Sequence, residues 1–361
     1  MTSIVNIGII GCGNFGAELA RIVDSIEGMR TASVVGGQDD SAQRLAGELG
    51  CGYEMDVRSL VSRSDIDAVI VASPNFLHKE HVLMAAQYGK HVFCEKPASL
   101  SLSDCDEMLE ECEKASVRFM AGHIMHFMDG IRRVKQLISA GSIGKPIAVH
   151  AERTGWMEGG GDSWKHRPEL TGGYLFHYIH ELDLVQAYMG PAQEVYLAGA
   201  SQSQESGQDV LLLTLKFPGQ ALGTMQYGSA FRWGGHSLKI NGTEGAVLFD
   251  FKRSEIVIRR PDGTERFGMN GCAEEDEARV QGYLAMEGKV AFTTASERPP
   301  LFLRGPLRLE MECFRDCLLG KPVPQEFASL FDGSSARSSI ATAEAAMSSL
   351  AHQEWVQIQT K

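Results

Sequence analysis

The sequence predicts an α/β protein of two domains, a doubly wound parallel sheet followed by an α+β domain with a large, mainly antiparallel sheet. In the first third of the chain, short β-branched runs alternate with helix-period stretches, which is typical of a parallel sheet with helices on both faces. Beyond about residue 190, strand signals follow one another with tight turns between them, which favours antiparallel pairing. At roughly 150 residues per domain, the 361 residues suffice for two such cores.

The first domain is predicted over residues 1–122. Its strands are expected, in chain order, at residues 4–10, 32–35, 68–72, 91–93 and 118–121. Its helices are expected at residues 15–26, 42–49, 79–88 and 102–114. Glycines separate these segments, and Ser101 with Asp104 forms the start signal of the last helix.

The second domain is predicted over residues 123–361, with the option that its C-terminal helix packs back on the first domain. It begins with a helix at 130–140, a strand at 147–153, a loop rich in glycine and tryptophan at 155–173, and a helix at 177–189. Further strands are expected at 195–198, 210–217, 221–227, 237–240, 246–251 and 255–259. Helices at 307–319 and 335–350 and a strand at 355–358 complete the chain.

Charge and cysteine content narrow the class of partner. The 34 basic and 46 acidic residues give a net charge of −12, which disfavours nucleic acid and anionic membranes because both attract cationic surfaces. The eight cysteines form no Cys-x-x-Cys pair and are expected to be reduced thiols. The N-terminus has no basic leader, and no apolar run approaches membrane-spanning length. We therefore expect a soluble, cytoplasmic protein.

A glycine-rich turn predicts a dinucleotide site. Gly11-Cys12-Gly13-Asn14-Phe15-Gly16 follows the first strand and opens the first helix. In this context Gly11 allows the tight turn, Gly13 lets a pyrophosphate approach the backbone, and Gly16 permits close packing of helix and strand. The alternative is a glycine-rich turn without a ligand.

The choice between NAD and NADP depends on the end of the second strand. An acidic residue is usual there to bind the adenosine ribose 2′-hydroxyl, but Gly37 occupies that position. Gln38 or Asp39 could reach the ribose, and no arginine stands there to bind a 2′-phosphate. The sequence therefore favours NAD and leaves NADP open.

Two further segments end neighbouring strands, and together with the glycine turn they resemble the Gfo/Idh/MocA family of NAD(P)-dependent oxidoreductases. They are Ala72-Ser73-Pro74-Asn75-Phe76-Leu77-His78 and Gly89-Lys90-His91-Val92-Phe93-Cys94-Glu95-Lys96-Pro97. The resemblance implies a Rossmann domain and makes Lys96 a catalytic residue beside the nicotinamide. It also implies that a set of side chains and turn residues lines the cofactor: Asn14, Phe15, Ser73, Asn75, His78, Glu95 and Lys96.

The resemblance implies a catalytic histidine as well. The segment from Gly172 to Asp183 is similar to the family's segment in which a double glycine leads to an aspartate and then the histidine, and His180 matches that histidine. Phe176 stands where the aspartate is usual. We expect His177 to take the aspartate's role, one turn before His180 on the same helix face. The alternative for both residues is a histidine that is buried in the core and has no catalytic role.

Substrate contacts are expected from the start of the second domain and from its glycine-rich loop. The candidates are His123, His126, Trp156, Trp164, Lys165 and His177. Tryptophan supplies a flat apolar face for a sugar ring, and lysine can donate hydrogen bonds to hydroxyls. The alternative is that the tryptophans only pack on the core and so hold the loop in place.

The alternative interpretation of these histidines is a divalent metal site. His177 and His180 lie three apart, and Glu181 or His123 could complete a ligand set. The spacing differs from the His-Glu-x-x-His of zinc hydrolases, so no metal is assigned.

The predicted function is hydride transfer between a nicotinamide and a secondary hydroxyl, or the matching ketone, of a sugar, polyol or glycoside. Lys96 and His180 would handle the hydroxyl proton. One alternative is an NAD-dependent glycosidase that oxidises the sugar transiently and eliminates the aglycone. Another is a non-catalytic NAD(P)-binding sensor. The resemblance also implies a homo-oligomer, a dimer or tetramer, formed through the C-terminal sheet.

Overall fold

The computed structural model describes residues 4–36, 40–156, 167–202, 208–289 and 300–360. These residues form two compact units. The first comprises residues up to 124 and residues 303–337, and the second comprises residues 125–289, 300–302 and 338–360. The predicted fold class is confirmed, because the first unit holds a parallel sheet and the second a mostly antiparallel one.

The first unit is built on six parallel strands. They are β1 (Val5–Ile10), β2 (Met29–Val35), β3 (Gly52–Tyr53), β4 (Ala68–Val71), β5 (His91–Glu95) and β6 (Phe119–Gly122). The helices between them are α1 (Asn14–Asp24), α2 (Ser41–Leu49), α3 (Val57–Val61), α4 (His78–Gln87) and α5 (Leu102–Lys114). The strand order is β3-β2-β1-β4-β5-β6. The order reverses between β1 and β4, and a doubly wound sheet binds its ligand at the carboxyl ends of the strands at such a point.

The second unit is built on a nine-stranded sheet. Its first elements are α6 (Asp129–Ser139), β7 (Pro146–Thr154), α7 (Pro168–Thr171), α8 (Tyr174–His177) and α9 (His180–Met189). The next strands are β8 (Glu194–Ala200), β9 (Val210–Lys216), β10 (Leu222–Gly228), β11 (His236–Gly242), β12 (Ala246–Asp250), β13 (Glu255–Arg260) and β14 (Gly263–Gly268). The remaining elements of the chain are α10 (Ala273–Ala285), α11 (Leu301–Leu318), α12 (Ala328–Phe331), α13 (Ser334–His352) and β15 (Val356–Gln357). Helix α11 belongs to the first unit from residue 303 on, α12 belongs to it entirely, and α13 belongs to the second unit from residue 338 on.

The order of the second sheet is β14-β13-β12-β11-β7-β10-β9-β8-β15, and β7 and β10 run parallel while their neighbours pair antiparallel. One face of this sheet forms a core. On β9, Leu211, Leu213 and Leu215 are buried while Leu212 is exposed, as the two-residue period of a strand requires. Helix α9 packs on β7 in this unit.

The structure departs from the sequence prediction at several elements. Strands β3 and β14 and helices α3, α7, α10 and α12 are additional. Only Arg279 and Tyr283 of α10 are buried, so an apolar period does not reveal this helix. The helix expected over 177–189 is also interrupted, because Tyr178 has φ −106° and ψ 43° and separates α8 from α9. His177 and His180 therefore belong to different helices, and the shared helix face expected for them is wrong.

All eight cysteines lie among the described residues and are free thiols. No helix within the described ranges is both long and apolar enough to span a bilayer. The cytoplasmic location stays a prediction.

Candidate active site

The turn between β1 and α1 forms a cradle that only glycine can build. Gly11 has φ +101°, and a Cβ there would lie 2.5 Å from the backbone nitrogen of Ser73. A Cβ on Gly16 would overlap the carbonyl oxygen of Gly11. Both positions therefore exclude other residues for steric reasons.

Gly13 has the opposite environment. It is the N-cap residue of α1, and among the described residues nothing lies within 4 Å of its side-chain position and no side chain caps this helix end. The first amides of α1, including those of Asn14 and Phe15, lie at this helix N-terminus, where an anion is favoured. The residues present fit the pyrophosphate of a dinucleotide.

The ends of β4 and β5 are joined by His78. The ring of His78 is 1% exposed, and its Nδ1 lies 2.8 Å from the carbonyl oxygen of Pro97 and its Nε2 2.8 Å from that of Ser73. Burial lowers the pKa of His78 to about 4, against the opposing effect of the two carbonyl contacts. The ring holds together two loops predicted to line the cofactor, so its contribution to the site is their relative position.

The other predicted cofactor residues lie around these loops. The hydroxyl of Ser73 is 2.9 Å from His81 Nδ1, and Asn75 is 9% exposed. Glu95 is 8% exposed, and its Oε2 accepts the backbone N–H of Lys96 at 3.2 Å. Lys96 itself is half-buried and precedes a cis peptide bond to Pro97. Their contacts with a cofactor stay predictions.

The histidine segment of the second unit starts at two glycines with left-handed backbone. Gly172 has φ +75° and Gly173 φ +76°, and the ring of Phe176 packs so closely on Gly172 that a Cβ there would lie 2.5 Å from it. Phe176 is buried in this contact, while His177 and His180 are half-buried. The aromatic side chain at 176 thus fills space and leaves the polar positions to the two histidines.

A buried network holds the start of α9, one residue after His180. Glu181 is 1% exposed, and its Oε1 accepts hydrogen bonds from Arg153 Nη1 at 2.9 Å and from His236 Nε2 at 2.7 Å. The Nδ1 of His236 contacts the hydroxyl of Tyr283. Because Nε2 donates to a carboxylate, Nδ1 of the neutral ring accepts a hydrogen bond from the Tyr283 hydroxyl.

The ionisation of this network follows from its contacts. Burial alone would raise the pKa of Glu181, but the charge of Arg153 and the hydrogen bond from His236 outweigh it and hold that pKa well below its usual range. Burial lowers the pKa of His236 to about 4. Arg153 also lies 4.5 Å over the ring of Tyr178, which meets His177 edge-on at 4.7 Å between ring centroids. One carboxylate thus anchors the strand, helix and aromatic residues around both histidines.

The predicted substrate residues have different surroundings. His126 is 3% exposed and its Nε2 lies 2.6 Å from Asp183 Oδ2, which ties it to α9. His123 is 1% exposed. Trp156 bridges to Ala230 and Lys289, and the guanidinium of Arg232 lies 3.1 Å from its ring centroid. These contacts favour a structural role for Trp156, and substrate contact by these three residues stays a prediction.

Four predicted site residues lie outside the described residues. They are Gln38 and Asp39 of the cofactor site and Trp164 and Lys165 of the substrate site.

The structure does not support Glu181 as a ligand of the alternative metal site. The carboxylate of Glu181 is engaged by Arg153 and His236 rather than directed to a histidine pair. Within the described ranges, no three histidine, cysteine or acidic side chains come together as a metal site.

Comparisons with known proteins agree with this architecture. Residues 5–123 match the model of an oxidoreductase family with an NAD-binding Rossmann fold, and residues 135–358 match the C-terminal α/β domain of the same family. The chain belongs to the Gfo/Idh/MocA family.

Two relatives of the family cover almost the whole chain. A 2,7-anhydro-N-acetylneuraminate hydratase of Mediterraneibacter gnavus is 41% identical over an alignment of 350 positions, which covers 94% of this chain and 93% of that protein. The enzyme of the same name from Escherichia coli is 38% identical over an alignment of 364 positions, which covers 98% of this chain and 97% of that protein. A levoglucosan dehydrogenase solved with NADH and levoglucosan has the same fold, with a TM-score of 0.79, 19% identity, and coverage of 99% and 100%.

Membership in the Gfo/Idh/MocA family makes the protein an NAD-binding oxidoreductase, in a family whose members include sugar and polyol dehydrogenases. The sequence did not indicate the contribution of Arg153 or Tyr283. Arg153 and Glu181 are 28 positions apart and His236 and Tyr283 47 apart, so no local pattern connects them. An acidic residue in the apolar segment next to the predicted catalytic histidine is the one available hint, since a buried carboxylate needs a partner.

Proposed function

We propose that this protein hydrates the anhydro bridge of 2,7-anhydro-N-acetylneuraminate or a closely related anhydro sugar acid, in a reaction with no net oxidation. The similarity of 41% and 38% over nearly the full chain to two hydratases supports this substrate class. The activity is a form of the transient-oxidation glycosidase considered from the sequence. Bound NAD would supply hydride abstraction from a carbinol carbon and return of the hydride at the end.

The chemistry of the substrate specifies the order of bond changes. In this sugar acid the bridging oxygen leaves from C2, and the carbinol two carbons away is C4. A ketone at C4 makes the C3 proton acidic, so loss of that proton breaks the bond from C2 to the bridging oxygen. Water then adds its oxygen to C2 and a proton returns to C3. When C4 is a carbinol again, the sum is substrate plus water to product.

This sequence requires two kinds of proton transfer, and the chain offers groups for both. Lys96 and His180 exchange the C4 hydroxyl proton. His177 removes one proton from C3 and later delivers to C3 a proton that has exchanged with solvent, while the bridging oxygen leaves with a proton. A neutral imidazole is a suitable base near neutral pH. The second base is what a simple dehydrogenase does not need, and it fits the replacement of the usual aspartate by Phe176.

The test is turnover with 2,7-anhydro-N-acetylneuraminate and less NAD than substrate, in deuterated water. We expect N-acetylneuraminate in excess over the cofactor, no accumulation of reduced nicotinamide, and one deuterium at C3 of the product. Direct hydrolysis of the bridge would leave C3 unlabelled. Reduced nicotinamide formed in proportion to the substrate consumed would instead identify an ordinary dehydrogenase.

The two histidines should separate in the same assay. His177→Ala is expected to retain hydride exchange at C4, seen as transient nicotinamide reduction, but to lose the deuterium label at C3. His180→Ala is expected to lose both. Equal losses in the two variants would contradict separate roles. Binding of NAD without turnover, unchanged in Lys96→Met, would favour the sensor.

We also propose that the enzyme is a homo-oligomer assembled through the outward face of the second sheet. In support, this face carries exposed apolar side chains at Leu212, Leu222 and Leu248, with exposures of 37–51%. Apolar side chains exposed on one face of a sheet are common at protein interfaces.

A further inference from the structure

A small cavity lies in the second unit, beside the network at the start of α9. Three cationic side chains line it: Arg153 at the end of β7, Lys252 in the turn after β12, and Lys289 after α10. His236 and Tyr283 line it as well. Its volume of about 10 Å³ accommodates one particle of the size of a water molecule. None of its lining residues in the described ranges is acidic.

The two lysines of the cavity have no carboxylate partner. Lys252 Nζ donates to the carbonyl oxygen of Gly234 at 2.8 Å, which uses one of its three protons. In the part of the chain that the structure describes, neither Lys252 nor Lys289 forms an ion pair. The chain has 46 acidic and 34 basic residues, so a shortage of acids does not explain this.

The acids near the cavity are already engaged. Glu181 Oε1 accepts hydrogen bonds from Arg153 and His236. The carboxylate of Glu152 lies near Gly235 of the cavity, and its Oε1 accepts the hydroxyl of Thr154 at 2.6 Å. The positive charges of the two lysines are therefore left without a close counter-charge.

A fourth cation, Arg279, lies one turn before Tyr283 on α10 and is only 3% exposed. Its Nη2 lies 3.4 Å from Asn270 Oδ1, and its guanidinium carbon lies 4.2 Å over the ring centroid of Phe302. Its Nε has no hydrogen-bond partner among the residues described. A buried arginine is normally paired with an acid, so this environment also lacks negative charge.

The charges of this cluster act on one another. Burial lowers the pKa of Arg279 to about 10, and the charge of Arg153 acts in the same direction, so both remain cations at neutral pH. The charge of Asp276 opposes this shift, but its Oδ1 accepts hydrogen bonds from Ser254 and Asn270. Like charges repel strongly where water is excluded, and a bound anion removes that repulsion.

We propose that the cavity binds one chloride ion, which is the counter-ion of these four cations. Chloride is the common anion closest in size to a water molecule, whereas phosphate, sulfate and larger carboxylates exceed the space. The ion would also join two segments that already meet, because the backbone N–H of Trp156 donates to the carbonyl oxygen of Gly288 at 2.9 Å and Gly288 lines the cavity. The site is independent of the proposed function.

The first test is the Tm of the full-length protein without substrate, with chloride replacing gluconate at constant ionic strength. An ion that binds only the folded state stabilises it in a saturable manner, so we expect Tm to rise by about 3 °C at ten times the dissociation constant of chloride. Gluconate is too large for the cavity. The same Tm in both salts would overturn the proposal.

The second test removes the lining charges one at a time. Lys252→Met should abolish the chloride-dependent rise in Tm. Lys289→Met should weaken chloride binding about threefold, because Lys289 is exposed and its charge is screened; this variant also tests the site if Lys252→Met does not fold. Arg253→Met is the matched control, since it removes the same charge from an 81% exposed side chain next to Lys252. An equal rise in wild type and both lysine variants would contradict the site.

Crystals grown in bromide locate the ion directly. We expect an anomalous difference peak within hydrogen-bonding distance of Lys252 Nζ in wild type and no peak in Lys252→Met. A peak without a saturable rise in Tm would mean binding at crystal concentration only, and this outcome would overturn the proposal, as would the absence of a peak in wild type. Displacement of bromide by N-acetylneuraminate would assign the cavity to a substrate carboxylate and overturn a separate ion site.

Discussion

The glycines of the first turn show how a missing side chain can serve either the fold or the ligand. Gly16 has the carbonyl of Gly11 where a Cβ would be, whereas Gly13 has open space. The same substitution should therefore have different effects at the two positions. Overlap with backbone cannot be relieved by a rotamer change, while a methyl group in open space affects only what binds there.

We expect Gly16→Ala to lower Tm strongly and to abolish NAD binding as a consequence. Gly13→Ala should leave Tm nearly unchanged and weaken NAD binding about tenfold or more, because the methyl group keeps the pyrophosphate from the helix amides. Calorimetry and NAD titration measure the two effects. Gly47→Ala, in α2 with nothing within 4 Å, is the control that should alter neither binding nor the fold. Equal NAD affinity in Gly13→Ala and wild type would refute a pyrophosphate at this turn.

At the scale of elements, the buried carboxylate of Glu181 connects α9 to β7 and β11. Removing one partner of such a network leaves the other charge buried and uncompensated. We expect Glu181→Gln to cost about 3–5 kcal/mol of unfolding free energy, because Arg153 then lacks its counter-charge. Denaturant unfolding measures this loss. Glu152→Gln, next to Arg153 on β7, is the comparison variant. A loss below about 1 kcal/mol would mean that the ion pair contributes little.

The same network predicts how stability responds to acid. The folded-state pKa of His236 is about 4, below its ordinary 6.5, so its contribution is present above 6.5 and is lost as pH falls toward 4. We therefore expect the unfolding free energy of wild type to fall relative to that of His236→Gln as the pH decreases over that range. Unfolding curves at several pH values test this, and a difference independent of pH would show that His236 is not buried in its neutral form.

At the scale of the whole molecule, the outward face of the second sheet is the place to test assembly. Leu212→Lys combined with Leu222→Lys should convert the proposed oligomer to single chains, because two charges would be buried at the interface. Light scattering after size exclusion gives the mass. Leu284→Lys, on the exposed side of α10, should leave the mass unchanged. A wild-type protein that elutes as a single chain would disprove the oligomer.

The sequence by itself determined the two sheets, the glycine turn and the segments around Lys96 and His180. These signals are local: an apolar period describes one element, and a glycine turn is read within six residues. The sequence pattern did not predict α10, because the surface of this helix is mostly polar. It also predicted α8 and α9 as one helix, because a two-residue break does not disturb the apolar pattern.

Only the tertiary structure decided which buried charges meet. Glu181 meets Arg153 and His236, which lie on strands 28 and 55 positions away in the sequence. Such pairs depend on strand order and helix register, which no spacing in the sequence encodes. Burial then shifts the pKa of each group, so the charge states around both predicted catalytic residues are properties of the folded protein.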